Sequence, residues 1–150
     1  MSEPLVFMMG KFEARIPVDR TYFESHFWAV PHGDVFRVGF TSYAVRLLQD
    51  VYFLDWSIDA DTQVRKKQSI GEIESSKAVS TMYAPADGHV IRFNEALLND
   101  PSLINADNYD KGWLYEFSTT QPLLSPDEYV KVLEAGWDQT QRLLKNQFNE

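Results

Sequence analysis

A mainly β, single-domain fold is predicted by three observations. Short runs rich in Val, Ile, Thr, Tyr and Phe recur along the chain. Turn residues separate them, as in Pro31-His32-Gly33-Asp34 and Pro85-Ala86-Asp87-Gly88. One long helical pattern with a well-marked start closes the sequence. Many short strands with turn signals and one terminal helix read as a flattened antiparallel β sandwich. The 150 residues suffice for one core, and no repeat, low-complexity segment or linker marks a second. The span 1–150 is therefore read as one unit.

Taken in order, Leu5 to Met9 is apolar, and Lys11 to Ile16 alternates apolar and charged positions. These predict one added N-terminal strand over about 5–15, with Gly10 as a bend or bulge. Pro17 to Tyr22 reads as a loop. Ser25 to Val30 and Asp34 to Phe40 read as paired strands around the Pro31–Asp34 turn. Thr41 or Ser42 caps a short helix through Leu48, because a hydroxyl accepts from first-turn N–H groups. Tyr43, Ala44, Leu47 and Leu48 give that helix an apolar side.

Val51 to Trp56 carries almost no polar interruption and is expected to be a buried strand. Ser57 to Gln68 is polar, a surface loop or edge, with Lys66 and Lys67 as solvated residues that discourage sheet pairing. Ser69 to Glu74 and Val79 to Tyr83 read as a hairpin whose tip holds Lys77. His89 to Phe93 is a strand, Asn94 to Leu98 a helical turn, Leu103 to Asn105 a brief apolar stretch, and Trp113 to Phe117 the last strand. The final helix spans about 126–148. Ser125 is its N-cap, Pro126 its first residue and Glu128 the partner in a capping box. Val130, Leu133, Trp137, Leu144 and Phe148 form an apolar stripe expected to pack on the domain.

Composition narrows the function. The net charge is −8 with a pI near 4.8, so no nucleic acid partner is expected, because phosphate contacts need a basic patch. An acidic surface fits docking onto basic patches of partner enzymes, and equally fits solubility. The chain has no cysteine, which excludes disulfides, thiolate catalysis and Cys-ligated metals. No apolar run is long enough to cross a membrane, so no membrane partner is expected. Met1-Ser2-Glu3-Pro4 lacks the positive region of a secretory signal, and a cytoplasmic location is the expectation.

Catalytic constellations are scarce. His26, His32 and His89 are scattered and lack metal-ligand spacing, so no metal site is expected. There is no phosphate-cradling glycine loop and no Gly-x-Ser-x-Gly elbow. Glu72 and Glu74 share a strand face, but a hairpin tip makes a poor water-excluding cleft. What remains is Lys77, a lysine presented on a hairpin. By itself this is either an ordinary solvated lysine or an attachment point for a covalent prosthetic group.

A longer string of residues separates the two. Glu74-Ser75-Ser76-Lys77-Ala78, then Tyr83-Ala84-Pro85 and Gly88, then Asn94-Glu95-Ala96-Leu97, then Pro101, Asn105 and Gly112-Trp113 resemble the glycine cleavage system H protein family in order and spacing. The resemblance runs from near Ile16-Pro17 to about Phe117. It implies a lipoyl-domain-like barrel-sandwich hybrid with added helices, a non-catalytic carrier, and lipoic acid joined to Lys77 through an amide. It implies that Glu74, Ser75 and Ala78 shape recognition of the tip; the alternative for each is plain turn structure. An ordinary amine is protonated at neutral pH and does not acylate itself, so a lipoate ligase or transferase is an implied partner.

The resemblance further implies three client enzymes. Glycine decarboxylase (the P protein) loads an aminomethyl group onto the arm. A folate-dependent aminomethyltransferase (the T protein) unloads it. Dihydrolipoamide dehydrogenase (the L protein) reoxidises the arm. The chemistry is the cofactor's, and the protein supplies presentation and recognition. A tether also keeps the reactive end near docked partners at an effective concentration on the order of millimolar.

The chain departs from the family pattern at named places. Ser76 stands where a valine is usual, Phe27 in His26-Phe27-Trp28 where a glutamate is, and Gln49 in Leu48-Gln49-Asp50 where a glycine is. Lys67 and Asp110 also occupy glycine positions. Three readings therefore stand at this stage: a glycine cleavage carrier, an H-like lipoyl protein of another pathway such as sulfur oxidation or lipoate relay, and an unmodified interaction domain. A biotin carrier is disfavoured, because that family's Met-Lys-Met reads Ser76-Lys77-Ala78 here.

Overall fold

The structure, a computed structural model, describes residues 3–148, with side chains described as far as residue 142. It is the expected flattened antiparallel sandwich with a C-terminal helix. The strands are β1 (Leu5–Met9), β2 (Phe12–Ile16), β3 (Thr21–Phe23), β4 (Phe27–His32), β5 (Val35–Phe40), β6 (Val51–Trp56), β7 (Thr62–Val64), β8 (Ser69–Ser75), β9 (Val79–Tyr83), β10 (Gly88–Phe93) and β11 (Tyr115–Ser118). The helices are α1 (Ser42–Leu48), α2 (Ala96–Asn99), α3 (Leu103–Ala106) and α4 (Pro126–Phe148). A six-stranded sheet runs β3-β4-β5-β11-β10-β7, and a three-stranded sheet runs β6-β8-β9.

Apolar side chains from both sheets meet between them. Val38, Val90, Tyr115 and Phe117 come from the larger sheet, and Leu54, Ile73 and Met82 from the smaller. Alternation dictates this. On β8, Ile73 is buried while Glu72 is exposed and Glu74 half-buried, as expected for a sheet with one wet face.

The N-terminus differs from the expectation of a single strand. β1 and β2 form a separate hairpin, with Leu5 opposite Ile16 and Met9 opposite Phe12. Gly10 has φ +65°, a left-handed conformation that suits glycine at the first position of a two-residue hairpin turn. Phe7, Met9, Ala14 and Ile16 enter a second core with Tyr22, Trp28, Tyr43, Tyr129 and Leu133. Trp137 packs edge-on to Phe7 at 5.6 Å. β4 is therefore covered on both faces: Phe27 and Ala29 face the main core, and Trp28 the second. Trp28 lies flat over Gly39, where an added Cβ would come within 2.5 Å of the ring.

Helix starts follow their caps. Thr41 caps α1 by accepting from the Ala44 amide at 3.3 Å. At α4 the Ser125 hydroxyl accepts from the Glu128 amide at 3.2 Å, and the Glu128 carboxylate accepts from the Ser125 amide at 2.8 Å. Of the apolar stripe, Leu133 is buried and Val130 and Trp137 half-buried against the domain. Leu144 and Phe148 lie outside the described side chains.

Several boundaries move. β3 forms where a loop was expected, because Tyr22 exchanges backbone hydrogen bonds with Leu124 as well as pairing with β4. β7 forms within the polar 57–68 segment as the edge beside β10. The brief 103–105 stretch is part of helix α3. β6 is not uniformly buried: Tyr52 and Phe53 are both exposed. The register slips between Val51 and Phe53, and a bulge there adds one residue and re-aims its neighbours.

Candidate functional site

Lys77 sits where β8 turns into β9. Glu74 pairs with Val79, and the Ser75 amide donates to the Ala78 carbonyl at 2.9 Å. Ser76 and Lys77 are therefore the two central residues of the turn. Neither has a left-handed φ, so this hairpin lacks the primed turn that matches strand twist.

Other contacts hold the tip. The Ser75 side chain is buried and accepts from the Lys77 amide at 3.3 Å. The Ser76 amide donates out of the hairpin to the Asp50 carbonyl at 2.9 Å. Asp50 lies between two residues gripped by Asn105. The Asn105 side chain accepts from the Val51 amide at 2.8 Å and donates to the Gln49 carbonyl at 2.7 Å. A side chain from α3 thus fixes the loop that fixes the turn, while Ser76, Lys77 and Ala78 remain exposed.

The predicted recognition residues are together. Glu74 stands on the outward face of the sheet, Ser75 underlies the turn, and Ala78 closes it. Around them are residues the sequence reading did not single out. Tyr52 is 60% exposed, Phe53 44% and Val79 63%. The only sequence signal for the first two was an apolar run without alternation, which read as burial. Asn105 was in the resemblance string, but nothing local assigned it a task.

The histidines stay apart. His26 has φ +76° and ends the β3–β4 turn. Its Nδ1 is 2.9 Å from the Tyr129 hydroxyl, which is also 2.8 Å from the Thr41 hydroxyl. Burial pushes its pKa down to about 4, because a desolvated ring resists charging. His89 bonds Asp61 and Gln63 at the sheet edge. His32 lies near Glu116, whose carboxylate is held below its usual pKa by Arg92, against desolvation, with Arg37 adding to the effect. No group of metal-binding side chains forms among the described residues.

The turn suits a long covalent substituent. An amine on an exposed two-residue turn, with small neighbours Ser75, Ser76 and Ala78, leaves room for an acyl chain to depart. Among the described residues, no helix is long and apolar enough to cross a membrane.

Comparison with known proteins identifies relatives over most of the chain. The family model described as Glycine cleavage H-protein matches residues 20–136. A probable glycine cleavage system H protein of Natronomonas pharaonis is 42% identical over 118 residues, covering 76% of this chain and 93% of its own. A glycine cleavage system H protein of Listeria monocytogenes is 40% identical over 124 residues, covering 79% and 98%. A crystal structure of a glycine cleavage system H protein from Mycobacterium marinum superposes with a TM-score of 0.67 at 39% identity, covering 77% and 97%. The barrel-sandwich fold is therefore shared. The β1–β2 hairpin and the α4 residues beyond 136 lie outside the family match.

Proposed function

The chain belongs to the glycine cleavage H-protein family, and from that membership we propose that Lys77 carries lipoic acid in amide linkage. The chain then serves as the carrier of the glycine cleavage system and turns over no substrate itself. The single observation behind the assignment is the pose of the turn. Lys77 is exposed between two paired strands, and its neighbour Ser76 is tied to the Asp50 carbonyl. A fixed base with an exposed side chain is what presentation to several enzymes requires.

Each residue has a part in this reading. Lys77 provides the attaching nitrogen, and amide formation removes its charge. Ser75 and Ala78 shape the turn that a modifying enzyme admits. Glu74 offers that enzyme a carboxylate on the adjoining face. Bound lipoic acid supplies a dithiol–disulfide centre at the end of a long arm. The partners are the lipoate ligase or transferase, glycine decarboxylase, the aminomethyltransferase and dihydrolipoamide dehydrogenase.

The test is intact mass after incubation with a lipoate ligase, ATP and lipoic acid. One lipoyl increment is expected, and none in Lys77→Arg. An increment that persists in Lys77→Arg, or no increment in the wild type, would overturn the assignment. Glycine–bicarbonate exchange with the decarboxylase then tests the pathway; modified protein that supports no exchange would reject it.

A further inference from the structure

We infer that the outward face of the β6–β8–β9 sheet is the docking surface for the enzyme that acylates Lys77. The inference rests on the reading of Lys77 as the attachment site, and it assigns a role to residues that reading leaves idle.

The face is built by register. Phe53 pairs with Glu74, which pairs with Val79; Asp55 pairs with Glu72, which pairs with Thr81. Directly paired residues share a face. The row next to the Lys77 turn thus reads aromatic, acid, apolar, and the next row reads acid, acid, threonine. Tyr52 is the extra residue of the bulge between Val51 and Phe53. Regular alternation would turn one of Tyr52 and Phe53 inward. The bulge leaves both in water, and Val79, two strands away across Glu74, is exposed as well. Scattered exposed apolar residues need no explanation, but Tyr52 and Phe53 are adjacent and set against Glu74 and Asp55, and exposed apolar side chains grouped among charges mark an interaction site. Tyrosine and phenylalanine are also residues that interface cores favour.

Charge identifies the occupant. The three strands carry three charged residues, Asp55, Glu72 and Glu74, and all are acidic. None joins an ion pair among the described residues. A second copy of this chain fits poorly, because a two-fold contact would set these acids against themselves. The occupant needs an apolar cup flanked by lysine or arginine. Client enzymes act at the far end of a long arm. The acylating enzyme alone must bring its active site to the Lys77 nitrogen, so its surface must cover the ground around the turn.

The test uses full-length apo protein as the substrate of a purified lipoate–protein ligase, with KM and kcat measured separately. Tyr52→Ser combined with Phe53→Ser is expected to raise KM on the order of tenfold or more, with kcat within about twofold, as for interface anchors. Glu72→Lys is expected to raise KM and flatten its dependence on salt. Leu98→Ser removes a side chain that is 52% exposed on α2, and is expected to change neither constant. Should the double variant fail to fold, Val79→Thr keeps the β-branched shape and is expected to raise KM several-fold. Unchanged KM in folded variants, or an equal effect of Leu98→Ser, overturns the docking face while leaving the attachment site standing. A wild type that takes up no lipoyl group overturns both.

Discussion

The amide of Ser76 donates to the carbonyl of Asp50 at 2.9 Å, so the residue beside Lys77 is anchored by the segment that opens β6. Asn105 holds that segment on both sides of Asp50. Asn105→Ala leaves the amide of buried Val51 and the carbonyl of Gln49 without these partners. A loss of about 1–3 kcal/mol is expected in urea unfolding. The local signature is faster amide exchange at Ser76 than the global loss explains. Equal acceleration at Ser76 and at core Ile73 would reject the bracing role.

Gln49 stands at φ +63° and ψ −148°, a region that is essentially glycine-only. The family pattern has glycine there. Strain of about 1–3 kcal/mol, set against the extra unfolded-state entropy of glycine, leaves an expected gain of about 1 kcal/mol for Gln49→Gly. The measurement is a higher urea midpoint with an unchanged m value. A lower midpoint would mean that the Gln49 side-chain bond to the Arg46 carbonyl at 2.6 Å outweighs the strain.

Acid should destabilise the fold through His26. Burial holds its folded pKa at about 4, against an ordinary value of 6.5. The unfolded chain therefore binds the proton first as pH falls. Stability is intact above about pH 6.5 and declines toward pH 4, by up to about 3 kcal/mol from this group. His26→Asn tolerates the left-handed backbone and removes the titration. Its unfolding free energy is expected to vary less between pH 7 and pH 5 than that of the wild type. Parallel pH profiles would refute the assignment.

The capping box of α4 has a global reach. Ser125→Ala frees the Glu128 amide, at an expected cost of about 1 kcal/mol. α4 carries Tyr129 and Leu133 into the second core, so the loss should appear as one shifted cooperative transition. A separate early transition would show that helix and hairpin unfold apart from the sandwich.

Much of the site was legible because its signals are local. The Lys77 hairpin is flanked by strand-forming residues, and Ser125-Pro126-Asp127-Glu128 announces a helix start. Around Gly10 the sequence predicts a bend or bulge inside one strand, since nothing local separates either from a two-residue turn. The apolar composition of Val51 to Trp56 predicts a buried strand. A bulge has no composition of its own, and it exposed Tyr52 and Phe53.

From the amino-acid order alone came the β class, the terminal helix, the acid balance and the lysine most suited to carry a group. Those properties depend on periodicity, capping and charge, which act over a few neighbouring residues. Only the folded chain decided that Asn105 would brace Asp50, that Asp50 would hold Ser76, and that the added hairpin would share a core with α4. Each of these joins residues remote along the chain, and such contacts exist only once the two sheets have packed.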